Sequence, residues 1–197
     1  MLELKFKQIV FTFDFSFFAV VSLMLLFRDN QYVLLCLLAC MWHETGHLLV
    51  MLINNVKVKR ILFYGGGIKI IPDKSFDFTQ LKVRVSVLLA GSALNYITFM
   101  LLKNSASDVW TFFATANAII GAFNMLPLQF LDGGKILVMI IRNLCSYNNS
   151  ILLERYLKWL NIILIITIIL IFSFIGKGNI TLFFTLCCLL LSALFDG

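Results

Sequence analysis

His43-Glu44-Thr45-Gly46-His47, set in the apolar run from Gln31 to Ile53, decides how the rest of the chain is read. The pattern is H-E-x-x-H. On a helix, side chains four residues apart lie on one face, one turn from each other. His43 and His47 can therefore share one zinc ion, and Glu44 is placed to polarise a water on that ion. The chain has 2 histidines in all, and both are here. The ordinary alternative is two ring nitrogens hydrogen-bonded inside a helical bundle. Against it stands the cost of polar and ionisable groups among apolar helices, where they are usually functional.

The surrounding composition points to a membrane. Of 197 residues, 61% are hydrophobic, well above the roughly 45–50% of soluble domains. Spans need ~20 mostly apolar residues, and six candidates run near 9–27, 31–53, 85–102, 109–128, 157–175 and 179–195. The fourth is interrupted near Pro127. The N-terminal run is too long for a signal peptide and lacks a small-residue cleavage site, so it reads as a retained first helix. The expected fold is an all-α polytopic membrane protein. Residues 1–197 are expected to form a single domain with its core at 31–145, with no CBS or PDZ domain expected beside it.

The net charge of +6 does not point to nucleic acid, because the basic residues fall in short loops and act as a topology signal. With the N-terminus cytoplasmic, the inner segments hold Lys5, Lys7, Lys57, Lys59, Arg60, Lys69, Lys74, Lys82, Arg84, Lys135, Arg142, Arg155 and Lys158. The outer segments hold only Arg28, Lys103 and Lys177. Both termini are thus expected in the cytoplasm. The five cysteines form no paired framework. Cys40, three residues before His43, is a weaker alternative metal ligand.

This topology runs the second candidate span inward, with His47 about 9 Å from its inner end at 1.5 Å per residue. The fourth also runs inward, and its inner end carries Asn124, Pro127 and Asp132. A catalytic zinc takes three protein ligands and keeps one position open, so one ligand is missing from the histidine pair. Most of the chain's acids lie at helix ends or in loops, where solvation accounts for them. Asp132, in Asn124-Met-Leu-Pro-Leu-Gln-Phe-Leu-Asp132-Gly133-Gly134, matches the histidines in depth. It equally suits the N-cap of the short helix expected over 133–144.

Between the second and third candidates, Val56-Lys57-Val58-Lys59 alternates, and the apolar runs 61–64 and 68–71 flank Gly65-Gly66-Gly67. Alternation with branched and aromatic residues predicts a small strand or re-entrant element at the cytoplasmic face, and the glycines predict a turn.

These motifs resemble the site-2 protease family of intramembrane zinc metalloproteases (peptidase M50), above all the stage IV sporulation protein FB group. The likeness extends from His43 to Gly134 and includes Phe63-Tyr64-Gly65-Gly66-Gly67 and Ala90-Gly91-Ser92-Ala93-Leu94-Asn95. Ser92 departs from it, standing where many members have proline. The resemblance implies His43, His47 and Asp132 as ligands to one zinc per chain and Glu44 as the catalytic residue. It places Asn124 near the substrate, with Gly65, Gly66 and Gly67 forming a substrate-side loop. It further implies a membrane-associated protein substrate, such as a pro-sigma factor or tethered transcription factor, and regulatory membrane partners. Three other readings are a catalytically silent scaffold of the same fold, a metal transporter, and a protease whose third ligand is Glu154. The transporter reading expects ionisable groups strung along several helices. Glu154 sits beside Arg155 and Lys158 and reads as surface charge.

Overall fold

The computed structural model describes residues 2–6, 9–26, 30–65 and 67–174. It divides into two compact units, Met1–Asn124 and Met125–Gly197. The first contains strands β1 (Leu2–Phe6) and β2 (Ile9–Phe13), helices α1 (Phe15–Leu26) and α2 (Asn30–Ile53), and strands β3 (Val58–Tyr64) and β4 (Gly67–Pro72). A short 3-10 turn at Lys74–Phe78 then leads into α3 (Leu81–Leu102) and α4 (Asp108–Asn124). The second unit contains α5 (Asp132–Leu144) and α6 (Tyr147–Phe174).

The chain is mostly helical, with one small sheet. Among the described residues, two helices are long and apolar enough to cross a membrane, Tyr32–Ile53 and Leu81–Leu102. The first expected span is corrected. Residues 9–13 form a strand, and α1 has only 12 residues, about 18 Å at the helical rise and short of a bilayer's apolar core. The span expected at 109–128 appears as the 17-residue α4, which ends before Pro127. The span expected at 157–175 falls within α6 as far as Phe174, and the one at 179–195 lies outside the described residues.

The expected strand element between α2 and α3 is present as the β3–β4 hairpin, with Gly67 at φ +125 beginning the return strand. The sheet does not stop there. Its order is β1-β2-β3-β4, with β2 parallel to β3 and the other pairs antiparallel. One of its strands, β2, therefore comes from residues expected to be helical, and β1 from the residues just before them.

Opposed residues in a ladder share a face. The register puts Leu2, Leu4, Phe6, Ile9, Phe11, Phe13, Ile61, Phe63, Ile68 and Ile70 on one wholly apolar face. Phe63 stacks on Phe13 at 4.5 Å and meets Phe17 of α1 edge-on at 5.6 Å. The opposite face carries Glu3, Lys5, Arg60 and Lys69.

Helices α2, α3 and α4 form the core of the first unit around two apolar clusters. Met51, Val56, Phe76 and Val87 form one, and Ala39, Phe113 and Ala116 form the other. Along α2, the H-E-x-x-H segment lies between Ala39 and Met51, so both ends of the turn that carries it are fixed by packing. Between the two histidines, Gly46 lets α3 approach closely: a Cβ there would lie 2.5 Å from the Ala90 carbonyl oxygen. Trp42 Nε1 donates to Thr98 Oγ1 at 2.8 Å, and Ser92 Oγ donates to the Gly121 carbonyl at 3.1 Å. The second bond ties α3 to α4.

Candidate metal centre

His43 and His47 are buried, at 3% and 6% exposure. His47 Nδ1 lies 2.7 Å from the backbone carbonyl of Val87. A carbonyl can only accept, so Nδ1 carries the proton and donates to it. In the neutral tautomer with Nδ1 protonated, Nε2 keeps its lone pair, the form in which imidazole binds metal. Nε2 of His47 lies 3.1 Å from Nε2 of His43. Two nitrogens each ~2.0–2.1 Å from a tetrahedral zinc would stand about 3.3 Å apart. His43, Glu44 and His47 each offer a ligand atom, all within 4.8 Å of one another. Two buried imidazoles and a half-buried carboxylate, converging, fit zinc.

The other expected site residues are placed as follows. Asp132 is 6% exposed and belongs to the second unit. It is the first residue of α5, whose N-cap is Leu131 with no side-chain capping bond, so the N-cap role considered for Asp132 is not the one it plays. Lys135 Nζ donates to its Oδ1 at 3.1 Å. The glycines after it admit a tight crossing: a Cβ on Gly134 would overlap the Leu128 carbonyl, and one on Gly133 the Met125 carbonyl. The segment before α5 is further fixed by Asn161 Nδ2, which donates to the Pro127 carbonyl at 3.2 Å.

Asn124 ends α4, half-buried, and its Nδ2 donates to the Ile120 carbonyl at 3.0 Å. The Gly65 N–H donates to Ser16 Oγ at 3.0 Å, which ties the glycine turn to the start of α1. Gly66 lies outside the described residues. Cys40 is exposed and is not in the His-Glu-His cluster. Glu154 is held in a two-pronged pair by Arg142, whose Nε donates to Oε1 at 2.6 Å and Nη2 to Oε2 at 2.7 Å. Those bonds hold the Glu154 carboxyl below its ordinary range and the Arg142 guanidinium above its own. Both carboxylate oxygens being engaged, Glu154 is a poor metal ligand.

Two features of the centre come from α3, and neither was among the expected site residues. The Val87 contribution is a backbone carbonyl, available from any residue type. Gly91 faces the histidine rings, a position set only by how α3 packs on α2.

The family model for peptidase family M50 matches residues 100–171, which include α4, Asn124 and Asp132 but not the histidines. Stage IV sporulation protein FB of Bacillus subtilis (strain 168) is 29% identical over 133 residues, covering 63% of this chain. The match covers 45% of that relative, so the chain spans less than half its length. The solved structure of the site-2 protease from Methanocaldococcus jannaschii superposes with a TM-score of 0.69 over 98% of this chain and 93% of that one, at 21% identity, which shows a shared fold. The chain is thus similar to peptidase family M50 over part of its length, to a sporulation protein in sequence and to a site-2 protease in fold.

Proposed function

We propose that this chain is an intramembrane zinc metalloprotease, hydrolysing a peptide bond in or near the membrane segment of a membrane-associated protein. The carrying observation is the buried histidine pair, with one ring's proton committed to the Val87 carbonyl and two Nε2 atoms converging at 3.1 Å. His43, His47 and Asp132 would hold one zinc per chain. That ion supplies a lowered pKa for bound water and polarisation of the scissile carbonyl.

Glu44 is the proton carrier. Its carboxylate accepts a proton from the attacking water and returns it to the leaving amine, a role worth typically 10²–10⁴-fold. Asn124 serves the developing oxyanion. Its amide nitrogen has two hydrogens, and one is committed to the Ile120 carbonyl, which fixes the rotamer and leaves the other to donate.

A helical substrate must unwind before its peptide bond is accessible. β4 is an edge of the four-stranded sheet, and an edge offers backbone donors and acceptors to an added strand. That edge begins at Gly67, the first residue of β4. Substrates with helix-breaking residues near the cut are therefore favoured. The topology in this reading is multi-pass in the bacterial cell membrane, with both termini cytoplasmic and residues 1–197 forming one membrane domain. The sporulation name of the Bacillus relative favours a pro-sigma factor or tethered transcription factor as substrate, with regulatory membrane proteins as partners.

The test measures zinc and cleavage together, on wild type, Glu44→Gln and Asp132→Ala purified in detergent. Each is also co-expressed with single-span candidate substrates. Wild type is expected to bind one zinc and cleave. Glu44→Gln is expected to keep the metal and lose cleavage by about 10²–10⁴-fold, and Asp132→Ala to lose both. A wild type without zinc, or a Glu44→Gln that cleaves normally, would bring forward the silent scaffold. Deleting residues 65–67 without effect on cleavage would remove the edge-strand step alone.

A further inference from the structure

The geometry points to Gly91 as a positioning residue that sets how the two histidine rings stand toward the metal; this rests on the zinc reading above. A Cβ built on Gly91 would lie 2.6 Å from His47 Nε2, 2.7 Å from His47 Cε1 and 2.7 Å from His43 Cε1. Those three atoms are the nearest to that point. They belong to the ring edges that converge on each other, not to the edge of His47 that is bonded to Val87.

Val87 and Gly91 are four residues apart on α3, so they share one helix face. The face therefore meets His47 twice. Val87 takes the Nδ1 proton at one end of the ring, and one turn later a side-chain-free Cα backs the Nε2 edge. The ring is held between a carbonyl and a bare backbone. His43, from the preceding turn of α2, rests against the same glycine. Contacts such as these can be smaller than a methyl group without leaving a void, and that leaves Gly91 no tolerance for even an alanine.

Gly91 touches no substrate in this account and moves no proton. It acts through the histidines, by fixing the distance and mutual angle of two ligands. Positions of this kind around a metal cost about 10–100-fold in metal affinity when changed.

The experiment compares zinc affinity, by chelator competition, for wild type, Gly91→Ala and Gly121→Ala in detergent. Gly121 is a milder packing control, because it packs α4 on α3 with a Cβ position 3.2 Å from Asn95 Cβ and its three nearest atoms belong to Asn95, Ser92 and Tyr96 rather than to a histidine. Gly91→Ala is expected to bind zinc about 10–100-fold more weakly, and its cobalt-loaded form to show an altered visible spectrum. Gly121→Ala is expected to match wild type in both. If Gly91→Ala keeps wild-type affinity and spectrum while wild type binds zinc, this inference is overturned and the protease reading stands. If wild type binds no zinc, both fall.

A metal-free measurement covers a Gly91→Ala chain too unstable to load. The melting-temperature loss caused by Gly91→Ala is measured with EDTA, in wild type and in a His43→Ala, His47→Ala background. A loss at least halved once the rings are gone supports the contact, as a coupling between touching residues. An unchanged loss overturns it.

Discussion

His47 and Asp132 are equally buried, at 6% exposure each, yet they are held by different forces. His47 is neutral. It needs one carbonyl to choose its tautomer and close packing to hold its ring, and α3 supplies both. Asp132 is a buried charge, and burying a charge is costly unless it is paired. It stands in the first turn of α5, where the helix dipole favours an anion, and Lys135 reaches back to it at 3.1 Å. The histidine is set by shape and the aspartate by charge. Substitutions that keep shape and remove charge should therefore separate the two, as should substitutions that do the reverse.

The largest effect is expected from Asp132→Asn, which preserves shape and removes the charge. Zinc affinity should fall on the order of 100-fold or more, past the usual effect of outer-sphere partners, and isothermal titration or chelator competition would measure it. An Asn variant that binds zinc normally would break the contrast. Next is Gly134→Ala, which leaves every charge in place but drives a Cβ into the Leu128 carbonyl. Forced overpacking costs about 1–3 kcal/mol, read as a lowered melting temperature, with zinc affinity following only through the displaced Asp132. Lys135→Gln should act in the opposite direction. Lys135 competes with metal for Oδ1, but its side chain is 44% exposed, and such pairs are worth only ~0.2–1 kcal/mol. Zinc affinity should rise by less than about fivefold; a fall would mean that Lys135 holds the carboxylate in place.

The smallest effect lies away from the site. The folded Glu154 has a pKa below its ordinary value of 4.5, because Arg142 hydrogen-bonds its charged form. A depressed carboxylate pKa stabilises above the unfolded value and ceases to do so as pH falls through the folded value. The melting difference between wild type and Glu154→Gln should thus be present at neutral pH, about 0.2–1 kcal/mol for a largely exposed pair, and vanish in strong acid.

Much of this was legible in the sequence, for identifiable reasons. The H-E-x-x-H pair was visible because helical periodicity alone brings residues four apart together. The β3–β4 hairpin was visible in the alternation around Gly65-Gly66-Gly67, and α5 in the residues after Asp132. The N-terminal hairpin was missed, although Leu2-Glu3-Leu4-Lys5-Phe6 alternates as a strand should. The residues that follow, Ile9 to Leu26, are so uniformly apolar that they satisfy the membrane-helix pattern regardless of structure. The two contributions of α3 to the centre were not among the expected site residues. One is a main-chain carbonyl, which any residue type supplies. The other is Gly91, visible within Ala90-Gly91-Ser92-Ala93-Leu94-Asn95 but with nothing local to say that it faces the histidines.

The parallel pairing of β2 with β3 has a consequence for how the molecule is made. The two strands are separated in sequence by α1 and α2, so the sheet encloses the H-E-x-x-H helix within a single crossover connection. A growing chain synthesises the whole motif before β3 exists to meet β2. The pairing is non-local, and non-local pairings carry a loop-closure cost and form late. A chain truncated after Ile53 would carry both histidines and Glu44 yet lack α3, and with it the Val87 carbonyl and the Gly91 surface. Such a nascent chain holds the metal-binding letters without the metal-binding geometry. Assembly of the centre is thereby deferred until the polypeptide is long enough to close the sheet and dock the next helix.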